Sequence, residues 1–327
     1  MIEGAKQTKK SKFKLKRYIG YMIIVPLIIL FLCITDSMKR GTCLLIENIT
    51  VGILLAVSLG LVIGFLGELS LGHAGFMCIG ADIGGKVALL LQPHISSLFV
   101  VLIIALICGG VASALAGIII GLPALRLKGD YLAIVTLAFG EIVRVVFRNL
   151  DFFGGVIGLK TGDISFNEHY LFIIGLALVL ILLAVIQNLV HSKHGRAITA
   201  IRDSEIAARA TGINVTRYKI TVFAISAFFA GIAGVVYSFR YNPTAEVFSY
   251  NKSIEILVMV VLGGMGNING SILSAILITY LNQKLKLWLP DDLAILQKVF
   301  YSLILIFYYF QIEEANEYMA LYYLELL

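Results

Sequence analysis

The sequence predicts an all-α, polytopic transmembrane bundle of about 8–10 spanning helices interrupted by two glycine-rich breaks. Three observations lead there. Of the 327 residues, 59% are hydrophobic and 14% charged, with a mean hydropathy of +0.94, whereas soluble domains carry about 25% charged residues. Apolar runs of roughly 20 residues, enough for a helix to cross about 30 Å of hydrocarbon, recur along almost the whole length. Runs such as Leu171 to Val190 do not alternate polar with apolar, as the roughly ten-residue strands of a membrane β-barrel would.

Taken in order, residues 1–17 form a basic tail carrying Lys6, Lys9, Lys10, Lys12, Lys14, Lys16 and Arg17. Lys and Arg collect on the cytoplasmic side of spanning segments, so the N-terminus is expected there. The apolar run at 18–35 is long and lacks a small-residue cleavage site, so it is expected to remain as an anchor. Further spans are expected at 43–66, 72–91, 95–121, 131–150, 170–190, 218–240, 253–283 and 291–310, giving a transmembrane domain of residues 18–310 and a C-terminal tail of 311–327. Counting from the N-terminus puts the loop at 122–130 and the interval at 191–219 inside, where Lys and Arg are again concentrated; Lys39 and Arg40 are a small exception. The net charge of +6 is therefore a topogenic signal and points to a lipid membrane, with no nucleic-acid partner expected. Cys33, Cys43, Cys78 and Cys108 lie in or beside apolar runs without CxxC spacing, and read as small apolar residues with no metal or disulfide framework.

The two breaks carry the polar chemistry of the apolar segments. In GELSLGHAGF, Gly67, Gly72 and Gly75 flank Glu68, Ser70 and His73; in GGMGNING, Gly263, Gly264 and Gly266 precede Asn267. Backbone released from helix within a membrane must be satisfied by protein or by a watery cavity. Gly-interrupted segments in separate halves of a transporter point to its pathway, while close helix packing is the alternative reading. Among ionisable residues, Asp82 and Lys86 share a helix face and are expected to pair. Glu141, Arg144 and Arg148 are expected to form a ladder directed into the bundle. Glu141 either lines a pathway or completes a buried ion pair, and His73 reads first as a hydrogen-bonded core histidine. Ser70, Thr136 and Asn267 offer the weak polar contacts suited to a zwitterionic solute that must also leave.

Two enzyme-like readings are excluded. Gly80 to Val87, GADIGGKV, follows a phosphate-binding loop up to its last position, where Val87 stands in place of the Ser or Thr that holds magnesium. No nucleotide site, and so no ATPase, is expected in the chain, and no pairing of acids with histidines has catalytic spacing. No resident cofactor is expected.

The longest polar interval, 191–219, holds a short helix between two spans. Asp203 or Ser204 can cap its start and Gly212 can take the left-handed turn at its end. Arg196 lies ahead of it, Ala207 and Ala208 are small enough to let a partner approach, and Glu205 and Arg209 add polar groups.

The run Ile206 to Gly212 resembles the EAA loop of ABC-importer permeases, with Ile206 in place of the usual Glu. That departure is similar to the branched-chain amino acid permease family, whose pattern GRAITAIRDSEIAARATGINVTRYK matches here almost throughout. GELSLGHAGFMCIGA, LRLKGDYLAIVTLAFGEIVR and EILVMVVLGGMGNINGSILSA resemble the same family, and the second of these looks like its LivM-type subunit. The resemblance implies a bacterial inner-membrane permease for leucine, isoleucine and valine. It also implies a homologous LivH-type permease, two cytoplasmic ATPases that bind the ATP, and an extracytoplasmic binding protein as partners. ATPase coupling then falls to Arg196, Asp203, Glu205, Ala207, Ala208, Arg209 and Gly212. The pathway falls to Glu68, Ser70, Gly72, His73, Gly75, Thr136, Glu141, Gly263, Gly264, Gly266 and Asn267. Urea or short-amide permeases share the pattern, and a self-contained carrier would require an ion-coupling acid such as Glu141. The acidic ending, QIEEANEYMALYYLELL, departs from the short basic tail general in the family.

Overall fold

The computed structural model describes residues 40–127, 129–159, 161 and 168–288. The tails at 1–17 and 311–327, the spans expected at 18–35 and 291–310, and Cys33 lie outside these residues. Among the described residues the architecture is all-α.

Helix α1 (Arg40–Gly60) continues as a π-helical stretch, Leu61–Leu66, which ends at Gly67 in the left-handed region (φ 79°). Residues 67–72 then run without regular structure into α2 (His73–Leu91). Helix α3 (Leu98–Ala124) returns across the bundle and α4 (Asp130–Asn149) follows. Next come α5 (Glu168–Val190), α6 (Lys193–Asp203), α7 (Glu205–Ala210) and α8 (Val215–Arg240). Two further helices, α9 (Tyr250–Leu262) and α10 (Ile268–Trp288), are joined by the second break. Five described segments are long and apolar enough to cross a membrane: Gly41–Leu66, His73–Leu91, Leu98–Ala124, Ile173–Val190 and Val215–Arg240.

The core is built on small residues. Helices α2, α3 and α8 pack most closely, and their contacts run through Gly80 against Gly231, and Gly109, whose added β-carbon would lie 2.8 Å from the Gly80 carbonyl. Ser113 Oγ donates to the Phe76 carbonyl at 2.9 Å across the α2–α3 seam. Lipid gives helices no hydrophobic reason to associate, so backbone approach and interhelical hydrogen bonds supply the adhesion. The outer face of α3 shows the complement: Phe99, Ile103, Ile107, Val111, Leu115 and Ile119 recur every fourth residue and are exposed, forming an apolar stripe along the helix.

The expected single span at 253–283 is instead two helices. The 13 residues of α9 rise only about 20 Å, short of the roughly 30 Å needed to span. Gly264 (φ 85°) and Gly266 (φ 86°) turn the chain. At the turn, Gly263 and Gly270 meet so closely that side chains at either would strike backbone. The break thus ends one helix and starts another that doubles back on it, because α10 packs on both α9 and α1.

Candidate functional site: two helix breaks joined to a polar helical pair

The polar interval contains two helices, and the sequence reading anticipated one. Ser192 caps α6 by accepting from the amides of His194 (3.1 Å) and Gly195 (3.2 Å). Gly195, Ile198 and Ile201, spaced three apart, are its buried face. Ser204, one of the two expected caps, starts α7: its Oγ accepts from the Ala207 amide at 3.3 Å. At the other end Gly212 takes φ 83°, and the amides of Gly212 and Ile213 reach back to the carbonyls of Arg209 (3.0 Å) and Ala208 (3.1 Å). Those two bonds form a Schellman motif, which satisfies the last carbonyls of the helix.

The outward face of α7 differs from the expected one. Ala208 is turned inward and joins the hydrophobic core, whereas Ala207, Arg209 and Ala210 are exposed and Ile206 is 82% exposed. Neighbouring helix positions are about 100° apart, so Ala207 and Ala208 cannot both face a partner. Ala208 seats the helix; Ile206 and Ala207 present it. Arg196 is exposed on α6, and Asp203, at the α6 end, is exposed and paired with Arg202 at 3.1 Å.

The first break is held by donors and acceptors from distant elements. The Leu71 amide donates to Thr136 Oγ1 (2.9 Å) on α4, and the Ala74 amide to Ser253 Oγ (3.2 Å) on α9. Gly72 lies against Thr136, where an added β-carbon would be 2.8 Å from the carbonyl; Gly75 meets Gly140, and a β-carbon added to Gly75 would be 2.7 Å from the Gly140 Cα. These three expected pathway positions therefore serve as packing and backbone satisfaction in this conformation. His73 is buried, its Nε2 3.0 Å from Ser58 Oγ and 3.4 Å from Ser226 Oγ, and Ser226 Oγ donates to the Ser58 carbonyl at 2.5 Å. Ser70 is fully buried, and neither its Oγ nor His73 Nδ1 has a hydrogen-bond partner among the described residues.

Glu141 is a half-buried cap. Its Oε2 accepts from Arg144 Nε (2.8 Å), and its Oε1 accepts from the Tyr250 amide (2.8 Å) at the first residue of α9. A carboxylate placed there meets the positive end of the helix dipole. The expected ladder stops at Arg144, with Arg148 outside it. The expected pair of Asp82 and Lys86 is not made: Asp82 accepts from Cys78 Sγ (3.2 Å), while Lys86 Nζ lies 4.2 Å from the centre of the Phe152 ring. In the second break Asn267 is exposed and caps α10, its Oδ1 accepting from the Gly270 amide at 3.3 Å.

Three residues that the sequence reading did not single out tie these parts together. Gly64, in the π-helical stretch, faces Gly266: a β-carbon on Gly64 would come within 2.7 Å of Gly266 Cα. The helix end that leads into the first break therefore touches the second break. Arg202, from α6, donates through Nη1 to the Gly64 carbonyl at 3.0 Å, and its side chain lies over Gly67. Lys219, in the first turns of α8, has a side chain only 4% exposed; it bonds to Glu68 of the first break and to Glu205 Oε2 of α7 at 3.3 Å. Its signal in the sequence was a cation one residue inside an apolar run. A crevice of about 10 Å³ beside the contact of Gly64 with Gly266, lined by Val57, Gly60, Phe65, Gly266, Asn267, Ile268 and Ser271, has room for no more than a water molecule.

Comparison with known proteins places this arrangement. Residues 44–309 match the family described as the permease component of the branched-chain amino acid transport system. The chain is 35% identical over 314 residues to the high-affinity branched-chain amino acid transport system permease protein LivM of Escherichia coli K12, covering 84% of this chain and 72% of that one. It is 35% identical over 290 residues to the LivM protein of Salmonella typhimurium, covering 79% and 66%. A shorter match, 37% identical over 100 residues, joins 28% of the chain to 31% of the ribose import permease RbsC of Haemophilus influenzae. With its apolar helices, its two glycine breaks and a match over most of its length, the chain belongs to the permease component family of branched-chain amino acid transport systems.

Proposed function

We propose that this chain is one permease subunit of an ATP-driven importer for leucine, isoleucine and valine in a bacterial cytoplasmic membrane, with its N-terminus in the cytoplasm. Its partners are a homologous LivH-type permease, two cytoplasmic ATPases that bind the ATP, and an extracytoplasmic binding protein that delivers the amino acid. The observation that carries this reading is α7, a six-residue helix capped at both ends and presenting Ile206 and Ala207 to solvent. Caps fix a short rod that could not hold itself as an isolated helix, so a motor subunit gripping it moves the chain behind it. That chain is the junction of Arg202 and Lys219 with the two breaks. Movement of α7 therefore reaches both glycine-rich breaks.

A self-contained carrier would need an intramembrane acid free for ion coupling, and Glu141, the candidate for that role, is committed to Arg144 and to the start of α9. The test is uptake of labelled leucine by vesicles containing the chain, the partner permease, the ATPases and the binding protein. Uptake is expected to require all of them and ATP, and to be competed by isoleucine and valine but not by urea. Uptake by the chain alone, or competition by urea, would overturn the reading.

A further inference from the structure

Lys219 stands in the first turns of α8 with its ammonium almost wholly buried, and it is shared by two carboxylates from different parts of the molecule. Glu68 belongs to the segment between α1 and α2; Glu205 is the first residue of α7. Glu205 has a second cation, because Arg209 Nη2 lies 2.6 Å from its Oε1 on the exposed side of α7. The four side chains alternate in sign, Arg209, Glu205, Lys219, Glu68, and the deepest of them is Lys219, at 4% exposure against 17% for Glu205 and 12% for Glu68. Apolar side chains could hold this junction without the desolvation that buried ions suffer, so the charges need a reason other than stability. What ions add is a small set of discrete pairings that a moving element can exchange.

The two carboxylates are not equivalent. If α7 moves away, Glu205 leaves with Arg209 and is never stranded, whereas Glu68 pairs with Lys219 and with no other cation among the described residues. Removing Lys219 from Glu68 would leave a nearly buried carboxylate uncompensated, which is strongly unfavourable. The bond at 3.3 Å to Glu205 is therefore the one built to open.

We propose that Lys219 is the positioning residue that couples α7 to the first break: it holds Glu68 and Glu205 together in the conformation described, and when a motor subunit displaces α7 it releases Glu205 while keeping Glu68. Arg202, bonded to the Gly64 carbonyl where Gly64 meets Gly266, runs alongside as a link from α6. The inference rests on the ATP-driven reading above, and its test separates the two.

The complete complex is assembled in vesicles with wild-type chain, Lys219→Met, Lys219→Arg or Glu205→Gln. In a background with the four native cysteines replaced by Ala, a single reporter cysteine at Met265→Cys, an exposed position between Gly264 and Gly266, reports on the breaks without reference to substrate. With Lys219→Met, leucine imported per ATP hydrolysed should fall roughly tenfold, the size of a lost inter-site coupling, while Lys219→Arg stays within about threefold of wild type. Trapping the ATPases with nucleotide and vanadate should change the labelling rate of the reporter in the wild-type background and leave it unchanged in Lys219→Met. Glu205→Gln preserves the Lys219 bond to Glu68 and serves where Lys219→Met fails to assemble: its reporter should show the trapped-state rate before trapping. Import per ATP at the wild-type ratio in Lys219→Met, an equal reporter response in Lys219→Met and wild type, or an unaltered resting rate in Glu205→Gln would overturn the latch. A wild-type complex that shows the Lys219-dependent reporter response but imports no leucine would instead overturn the substrate reading and leave the latch standing.

Discussion

Gly64 and Gly266, 202 positions apart in the sequence, are in backbone contact: a β-carbon on Gly64 would lie 2.7 Å from Gly266 Cα. This one contact turns two separate glycine-rich segments into a single junction, with the π-helical end of α1 on one side and the turn between α9 and α10 on the other. The replacement Gly64→Val is expected to force the two apart and lower the stability of the chain by about 1–3 kcal/mol, the usual effect of overpacking a tight interior. Thermal unfolding in detergent, followed by size-exclusion of the surviving monodisperse fraction, measures it. A midpoint equal to that of the parent would show that the junction is not a close contact.

The caps of α7 give a second, local prediction. Ser204→Ala removes the oxygen that receives the Ala207 amide, which weakens a helix by about 1 kcal/mol and should speed hydrogen exchange at Ala207 by roughly fivefold. Gly212→Ala acts differently. An added methyl there meets nothing within 4 Å, so the effect, about 1–2 kcal/mol, comes only from placing a β-carbon at φ 83°. Exchange rates across 205–213 distinguish intact from frayed helix, and unchanged rates in both variants would remove the argument that α7 is a capped rod.

How much of this was legible before the structure follows from the range of each signal. Ser204 and Gly212 could be read because a cap is decided by residues a few positions away. The first break was legible as glycines among polar residues; the helix before it ends at Leu66, as expected, and α2 starts at His73, one residue after the expected start, so that His73 and Gly75 belong to the helix. Helix α6 was hidden by its own composition: Lys193, His194, Arg196 and Arg202 break up its apolar pattern, although Ser192 and the buried spacing Gly195, Ile198, Ile201 were in view. Lys219 and Glu68 are 151 residues apart, and no local pattern could pair them. Asp82 and Lys86 show the opposite failure. Their spacing permits a bond, but the Phe152 ring competes for the ammonium and Cys78 for the carboxylate.

Glu141 supplies a third prediction, about which of two roles its carboxylate holds. Its oxygens accept from Arg144 and from the Tyr250 amide, so Glu141→Ala leaves a cation and a helix-starting amide without their partner and should destabilise the chain by about 1–3 kcal/mol. Glu141→Gln retains an acceptor for the amide and should lose less. In the vesicle assay, Glu141→Gln is expected to keep ATP-dependent leucine uptake. An acid that carried a coupling ion would fail that test completely, since an amide cannot exchange a proton or balance a cation.

The last prediction concerns the stretch that imitates a phosphate-binding loop. Such a loop binds phosphate because its backbone amides are free of secondary structure and point at the anion. Here Gly80 to Val87 lies wholly inside α2, where interior amides are already bonded to carbonyls four residues back. Its glycines serve packing: Gly80 meets Gly231, and an added β-carbon on Gly84 would sit 3.0 Å from the Ala105 carbonyl. The lysine is engaged elsewhere, above Phe152. Val87→Ser, which completes the motif as a string of letters, is therefore expected to add no nucleotide binding by the isolated chain, as measured by photolabelling with an azido-ATP. Lys86→Met should leave ATP hydrolysis by the assembled complex unaltered and reduce stability by about 0.5–1 kcal/mol through loss of the ring contact. Labelling of the Val87→Ser chain that unlabelled ATP competes away would contradict both the helical assignment of this stretch and the assignment of all ATP binding to separate subunits.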